Sequence, residues 1–497
     1  MHGKRDSKLF AASIFDVAPR VRDRWIRTLG VLTAMASLVV TALVLASAAR
    51  VDDLAIAGHI PLAWTALAVL TTVFLFGLFT RSLDLRLSRR FPLVVVILSL
   101  VVSMGTWALL ALGNESLAAS IYRGLRIPQG VMQFWDLSLV MLSVDCARWG
   151  FDIYQDNNGC MQDPSIYAPG MVWLARVPFD VFSQNTAPAL GVVLIVASSL
   201  ALGWLARQSS GVGQVLLAIA AVGAPWVLLM ERGNIDAVVF VVLVVGVLLT
   251  RRYRTSLAVW LVVAVLFWLM GTWKYYPFVM GIALLPVLSI RRGWIVIAGY
   301  VTAAMLYVIA TWENLLFSSS TNAGMVDFGD WAVLGRVPLV ARMIDATPGG
   351  DGLQAMDVPV ILMTLLAVAW GVAVGQRISR GGKPAAALAA GGAALYLTSV
   401  FLSGFGYGYK AVFLLAGVPL AAAVLARGSR SGHRPLVGTG LVIVLLLGVQ
   451  SVIMWNTVLA TQAGLVAGGF LIGCGSTVML RSFRVKRTDL SGSEARP

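Results

Sequence analysis

Apolar runs long enough, or nearly long enough, to cross a bilayer recur along this chain. They lie at 29–49, 61–80, 91–112, 187–206, 214–230, 237–250, 255–273, 276–290, 293–311, 359–376, 385–403, 411–426, 436–454 and 462–480. A hydrocarbon core about 30 Å thick takes roughly 20 apolar residues of helix to cross. Within it every backbone N–H and C=O must be paired inside the segment. The expected fold is therefore an all-α polytopic membrane protein with about fourteen transmembrane helices. Composition agrees: of 497 residues, 59% are hydrophobic and only 12% charged, whereas a soluble domain is about 25% charged. The runs at 237–250 and 276–290 are short, which implies tilting, breakage or snorkelling arginines at their ends.

The net charge is +15, from 38 basic and 23 acidic side chains. Nucleic-acid binding is a poor explanation, because the basic residues form short clusters between apolar runs. The positive-inside rule explains them better. With a cytoplasmic N-terminus, 28 basic and 6 acidic residues fall inside, against 10 basic and 17 acidic outside. Arg81, Arg86, Arg89 and Arg90, then Arg251, Arg252 and Arg254, then Arg377, Arg380 and Lys383 all obey the alternation, and both termini are placed in the cytoplasm. Ala46-Ser47-Ala48 resembles a signal-peptide cleavage site, but the run from Val31 to Ala49 is longer than a signal core, so an uncleaved first span is favoured. Two long connections, 113–186 and 313–358, fall outside. The organisation expected is a basic cytoplasmic segment 1–28, a membrane hairpin 29–90, a core 91–311, a C-terminal module 312–480 and a cytoplasmic tail 481–497.

Ionisable residues beside apolar spans are costly unless paired or functional, and the candidates cluster at outer span ends. Asp136, in Phe134-Trp135-Asp136, can act as a general base toward a hydroxyl or simply begin an interfacial helix. Glu231-Arg232-Gly233-Asn234-Ile235-Asp236 separates two runs; Gly233-Asn234 alone would be an ordinary turn. Lys274, in Thr272-Trp273-Lys274-Tyr275-Tyr276-Pro277, is a lone cation on the acidic side. It can hold a phosphate as a point charge or snorkel in an aromatic belt. Phe405-Gly406-Tyr407-Gly408-Tyr409-Lys410 repeats that pattern, with Lys410 a second cation and Tyr407 and Tyr409 as substrate contacts or belt residues. In the second long loop, Asn322, Asp327, Asp330, Trp331, Arg336 and Arg342 suit either sugar recognition or loop packing. Cys146 and Cys160, fourteen apart on an oxidising face, make a disulfide plausible. Cys474 lies in the last run. Three cysteines and three histidines support neither a zinc nor a haem framework. No cofactor is required and no metal site is assigned, although Asp152 and Asp156 are placed to bind a divalent ion.

The order of these motifs resembles the GT-C superfamily of membrane glycosyltransferases, closest to glycosyltransferase family 87, the polyprenyl-phosphate-mannose-dependent α-mannosyltransferases of actinobacteria. The carrying elements are Asp136 after a span, Gly150 to Tyr154, Tyr167-Ala168-Pro169, Arg232 to Asp236, and Lys274 to Pro277, together covering roughly 113–292. Asn234-Ile235-Asp236 stands where Gln-Ile-Asn is commoner, Tyr167-Ala168-Pro169 lacks the first proline, and the 29–90 hairpin is an addition. The resemblance implies a bacterial plasma-membrane enzyme working outside the cytoplasm. Its donor would be a polyprenyl-phosphate sugar, mannose or arabinofuranose, and its acceptor a glycolipid or polysaccharide. It makes Asp136 the base and Lys274 a ligand of the donor phosphate, with Arg232 and Lys410 as further cations. Tyr154, Tyr167, Asn234, Asp236 and Tyr276 become substrate contacts. A transporter or flippase of lipid-linked saccharides is the competing class. It would place its ionisable residues nearer the bilayer midplane.

Overall fold

The computed structural model describes residues 19–48, 87–112, 116–117, 134–155, 159–161, 165, 167–177, 181–315, 357–378, 383–402, 408–452 and 458–493. Among these the secondary structure is helical throughout, with no strand. The elements are α1 (Pro19–Ala48), α2 (Phe91–Ala111), α3 (Trp135–Arg148), α4 (Ala187–Gln208), α5 (Gly211–Ala221), α6 (Ala224–Arg232), α7 (Asp236–Arg252), α8 (Leu257–Lys274) and α9 (Gly293–Ala310). They continue as α10 (Asp357–Gly375), α11 (Lys383–Leu402), α12 (Val412–Leu415), α13 (Val418–Ser431), α14 (Arg434–Val452) and α15 (Val458–Ser493). Tight 3-10 segments occur at Pro169–Arg176, Gln184–Thr186, Tyr276–Ser289 and Gly408–Ala411.

The described residues are those of an all-helical membrane protein, but the expectation of fourteen spans is corrected. Among the described residues six helices are long and apolar enough to cross a bilayer: Phe91–Leu109, Gln184–Gln208, Leu257–Lys274, Gly293–Ala310, Lys383–Phe401 and Gln462–Arg481. The number rises to eight if each of two bent pairs is one span. The run at 214–230 is one such pair: α5 and α6 meet at a 50° bend, where Gly223 and Pro225 interrupt the hydrogen-bond ladder. The run at 411–426 is the other, bent 45° at Gly417 and Pro419. A hydropathy sum is blind to both breaks. The short run at 276–290 forms a 14-residue 3-10 segment rather than an α-helix, and at about 2 Å per residue it extends roughly 28 Å. The run at 61–80 and most of the 313–358 loop, with Asn322, Asp327, Asp330, Trp331, Arg336 and Arg342, lie outside the described residues.

α2, α4, α5 and α6 pack together, and α10, α11 and α15 form the most closely packed group. α1 docks on α10 and α15, so the first member of the N-terminal hairpin belongs with the C-terminal module. The Tyr276–Ser289 segment joins the halves, touching α8 and α9 on one side and α11 and α15 on the other. Between α10 and α15, glycines let the backbones meet: a Cβ on Gly371 would lie 2.1 Å from the Phe470 carbonyl oxygen, and one on Gly473 would lie 2.2 Å from that of Val368. Small residues at such crossings are what van der Waals association in lipid requires. Gly473→Val is therefore expected to destabilise the fold by about 1–3 kcal/mol, the usual range for overpacking. Gly299→Ala, with nothing within 4 Å of the added carbon, should leave the midpoint of thermal unfolding in detergent unchanged. Equal midpoints for the two variants would contradict the close α10–α15 crossing.

Candidate functional site

Four helix ends meet at one place. Asp136 lies in the first turn of α3 and Asp236 begins α7, while Arg232 ends α6 and Lys274 ends α8. Each carboxylate thus sits at the positive end of its own helix dipole and each cation at the negative end. The chain reaches these positions through unusual backbone. Gly233 (φ 59°, ψ 32°) terminates α6 in the left-handed region, which glycine adopts without penalty. Phe134 (φ 52°, ψ 38°) precedes α3 in the same region. Its ring lies where Cβ atoms on Gly191 or Gly233 would come within 3.0 Å or less, and its N–H donates to the Glu231 carbonyl at 2.9 Å. Tyr275 (φ 59°, ψ −59°) follows α8 and turns the chain so that Lys274 and Tyr276 share one target.

The side chains form a continuous network. Arg232 Nη1 donates to Asp136 Oδ1 at 3.2 Å, and Asn234 Nδ2 donates to Asp136 Oδ2 at 2.6 Å. Asn234 Nδ2 also donates to the Tyr409 hydroxyl at 2.8 Å. Its Oδ1 accepts from Lys274 Nζ at 3.0 Å and from the Asp236 N–H at 2.9 Å. Asp236 Oδ1 in turn accepts from Lys274 Nζ at 2.6 Å and from the Tyr276 hydroxyl at 2.5 Å. Lys274 Nζ lies 5.5 Å from the centroid of the Tyr167 ring, and Lys410 Nζ lies 5.7 Å from that of Tyr276, both within cation–π range. Lys410 is buried and donates to the Ser399 carbonyl at 3.3 Å. Asp236 is 1% exposed; Asp136, Arg232 and Lys274 keep 13%, 11% and 15% of their side-chain surface.

Of the residues singled out from sequence, the structure brings together Asp136, Arg232, Asn234, Asp236, Lys274, Tyr276 and Tyr409, with Tyr167 and Lys410 against the ring faces. Tyr154 stands apart, among Tyr275 and Tyr307. Burial pushes its hydroxyl pKa well above the ordinary tyrosine value, and the neighbouring Tyr275 adds to the shift. Tyr407 and Asp156 lie outside the described residues, and Asp152 Oδ1 accepts from the Tyr154 N–H in a local turn. Among the described residues no group of three His, Cys, Asp or Glu side chains is placed to hold a metal ion.

Sequence reasoning missed the parts that hold the outer segment in place. Asp145, three residues before Arg148, pairs with it at 3.0 Å and accepts from the Gln184 N–H at 2.9 Å. Arg148 also donates to the Phe182 carbonyl at 3.3 Å. The disulfide expected between Cys146 and Cys160, by contrast, is present. The 3-10 turn that carries Tyr167 toward Lys274 rests directly on α8. A Cβ on Gly170 would lie 2.5 Å from the Thr272 carbonyl oxygen, and the Ala168 N–H donates to the Trp273 carbonyl at 3.0 Å. The i,i+3 Asp145–Arg148 spacing was a readable signal; the Gly170 contact had none.

No protein-family model matches this sequence, and neither a curated protein nor a solved structure is similar to it. The network itself makes a stability prediction. Removing one partner of a buried ion pair typically costs about 3–5 kcal/mol. Lys274→Met should therefore lower the unfolding midpoint sharply, and the double variant Lys274→Met/Asp236→Asn should recover part of the loss. A single variant as stable as the parent would show that Asp236 does not depend on Lys274.

Proposed function

We propose that this protein is a membrane glycosyltransferase. It moves a sugar, mannose or arabinofuranose, from a polyprenyl-phosphate donor to a glycolipid or polysaccharide acceptor on the extracytoplasmic side of a bacterial plasma membrane. The observation that carries the reading is the convergence of Asp136, Arg232 and Lys274, drawn from three distant parts of the chain, on one network in contact with solvent or lipid only at its edge. Such a set supplies what the transfer needs. The acceptor hydroxyl attacks the anomeric carbon as its proton passes to Asp136. The bond to the phosphate oxygen breaks, and Lys274 and Arg232 stabilise the departing charge. One displacement inverts the anomeric centre and calls for no second carboxylate as nucleophile. Each Asp136 oxygen accepts one hydrogen bond within the network and retains a lone pair for an incoming hydroxyl.

One observation favours the second reading, a transporter or flippase. The two bent helix pairs meet tip to tip, through Asn234 and Tyr409, and broken helices often mark transport sites. Depth argues against it. α7 begins at Asp236 and ends at Arg251 and Arg252. Its 17 residues cover about 25 Å at 1.5 Å per residue. That is most of a hydrocarbon core about 30 Å thick, so the network sits near one boundary rather than the midplane. In a reconstituted assay with polyprenyl-phosphate mannose, Asp136→Asn is expected to reduce turnover by about 10²–10⁴-fold while the protein remains folded by circular dichroism. Full activity in that variant would refute the assignment of the base, and release of intact donor across a vesicle without transfer would favour the flippase.

A further inference from the structure

Asn234 hydrogen-bonds both Asp136 and Lys274, which are far apart in sequence. A carboxamide has two N–H donors and two acceptor lone pairs. Here all four are engaged: the donors on Asp136 Oδ2 and the Tyr409 hydroxyl, the acceptors on Lys274 Nζ and the Asp236 N–H. The orientation of the amide is fixed by its partners. An ammonium and a backbone N–H can meet only its oxygen, and a carboxylate can meet only its nitrogen. The backbone is held as well, since the Asn234 N–H donates to the Leu229 carbonyl at 3.3 Å and its carbonyl accepts from the Ala237 N–H at 2.9 Å. The residue is 3% exposed, so it has neither surface nor bonding capacity left for a sugar.

We infer that Asn234 is a positioning residue: it sets the geometry between Asp136 and Lys274 and ties both to the Tyr409 segment of the C-terminal half, and it does not contact substrate. Its kinetic consequence rests on the transferase reading; its structural consequence does not. Asn234→Asp is the informative change, because it keeps the shape. The new carboxylate can still accept from Lys274, but it loses both donors and sets a like charge beside Asp136 Oδ2. Asn234→Ala removes all four contacts.

Two measurements test this. Purified protein in detergent is treated with an amine-acylating reagent, and modification of Lys274 is mapped by mass spectrometry with Lys383 as internal reference. Lys274 should react several-fold faster in Asn234→Ala than in the parent, and at the parental rate in Asn234→Asp. Transfer from polyprenyl-phosphate mannose should lose roughly 100-fold in kcat in both variants, the scale expected for a displacement of about 1 Å, with donor KM nearly unchanged. Unchanged Lys274 labelling in a folded Asn234→Ala protein overturns the inference, as does a variant that raises KM alone. If the parent protein transfers no sugar, the transferase reading fails, and the labelling comparison still decides the role of Asn234.

Discussion

A carboxylate almost fully removed from water inside an apolar bundle costs several kcal/mol before any partner is supplied. Asp236 carries that burden, and the surrounding chain is arranged to meet it. Lys274 supplies the countercharge and the Tyr276 hydroxyl a second hydrogen bond, both to Oδ1. The N-terminus of α7 adds its dipole. Oδ2 is buried and has no hydrogen-bond partner among the described residues, so the compensation falls on one oxygen. Lys274 must therefore lie at the last position of α8, and the chain must reverse within one residue to return Tyr276 to the same atom. The left-handed Tyr275 performs that reversal. Asn234 then couples this pair to the Asp136–Arg232 pair. Four chain segments are held in one frame by the demand of one buried charge.

Two of the three described non-glycine residues with positive φ, Phe134 and Tyr275, follow the same geography, and the third, Arg292, precedes α9. Residues other than glycine with positive φ are uncommon, and bulky ones are genuine outliers, each costing about 1–3 kcal/mol. Phe134 stands two residues before Asp136, and Tyr275 stands between Lys274 and Tyr276. Gly233, between Arg232 and Asn234, takes the left-handed conformation where a side chain would both strain the backbone and meet Phe134. The Phe134 ring in turn fills the space left by Gly191 and Gly233, so burial of a large aromatic offsets the backbone penalty. The strain beside these charged side chains is held by the packing around it.

Asp136, Arg232 and Lys274 were legible in the sequence for one reason: an ionisable residue beside an apolar run is expensive enough to demand a partner or a task. Their mutual contact was not legible, since nothing in local pattern specifies which helix ends meet. Asn234 read as half of a turn or, through the resemblance, as a substrate contact, and three of its four side-chain hydrogen bonds depend on segments far away in the chain. The helical, membrane-embedded character was legible because apolar length has one physical meaning in lipid. The number of spans was not. Gly223-Ala224-Pro225 and Gly417-Val418-Pro419 bend their helices without lowering hydropathy, and the Tyr276–Ser289 segment covers more distance per residue than an α-helix does. Asp145 shows an intermediate case, where the i,i+3 pairing with Arg148 was visible but the Gln184 amide it caps was not.

The distribution of polar contacts explains why the network lies at helix ends. Within hydrocarbon, backbone groups are satisfied only inside a helix, so a spanning segment can expose free N–H and C=O groups, turns and charges only where it stops. The described contacts between segment ends divide accordingly. At one end are Asp136, Arg232, Asn234, Asp236, Lys274 and Tyr409. At the other, Asp23 pairs with Arg377 and with His433 Nε2 at 3.1 Å, Arg251 binds Gln208 and Arg481 binds the Gln376 carbonyl. None of these contacts crosses between the two sets. The two bent pairs add to this logic. The bends lie inside the pairs, around Gly223 and Gly417, and the outer ends of the pairs, Arg232 and the Tyr409-Lys410 turn, are the ends that reach the network. A membrane bundle that must hold several charges together near one boundary has to gather helix termini there, and bending two helices at Gly and Pro changes the direction in which two of those termini arrive.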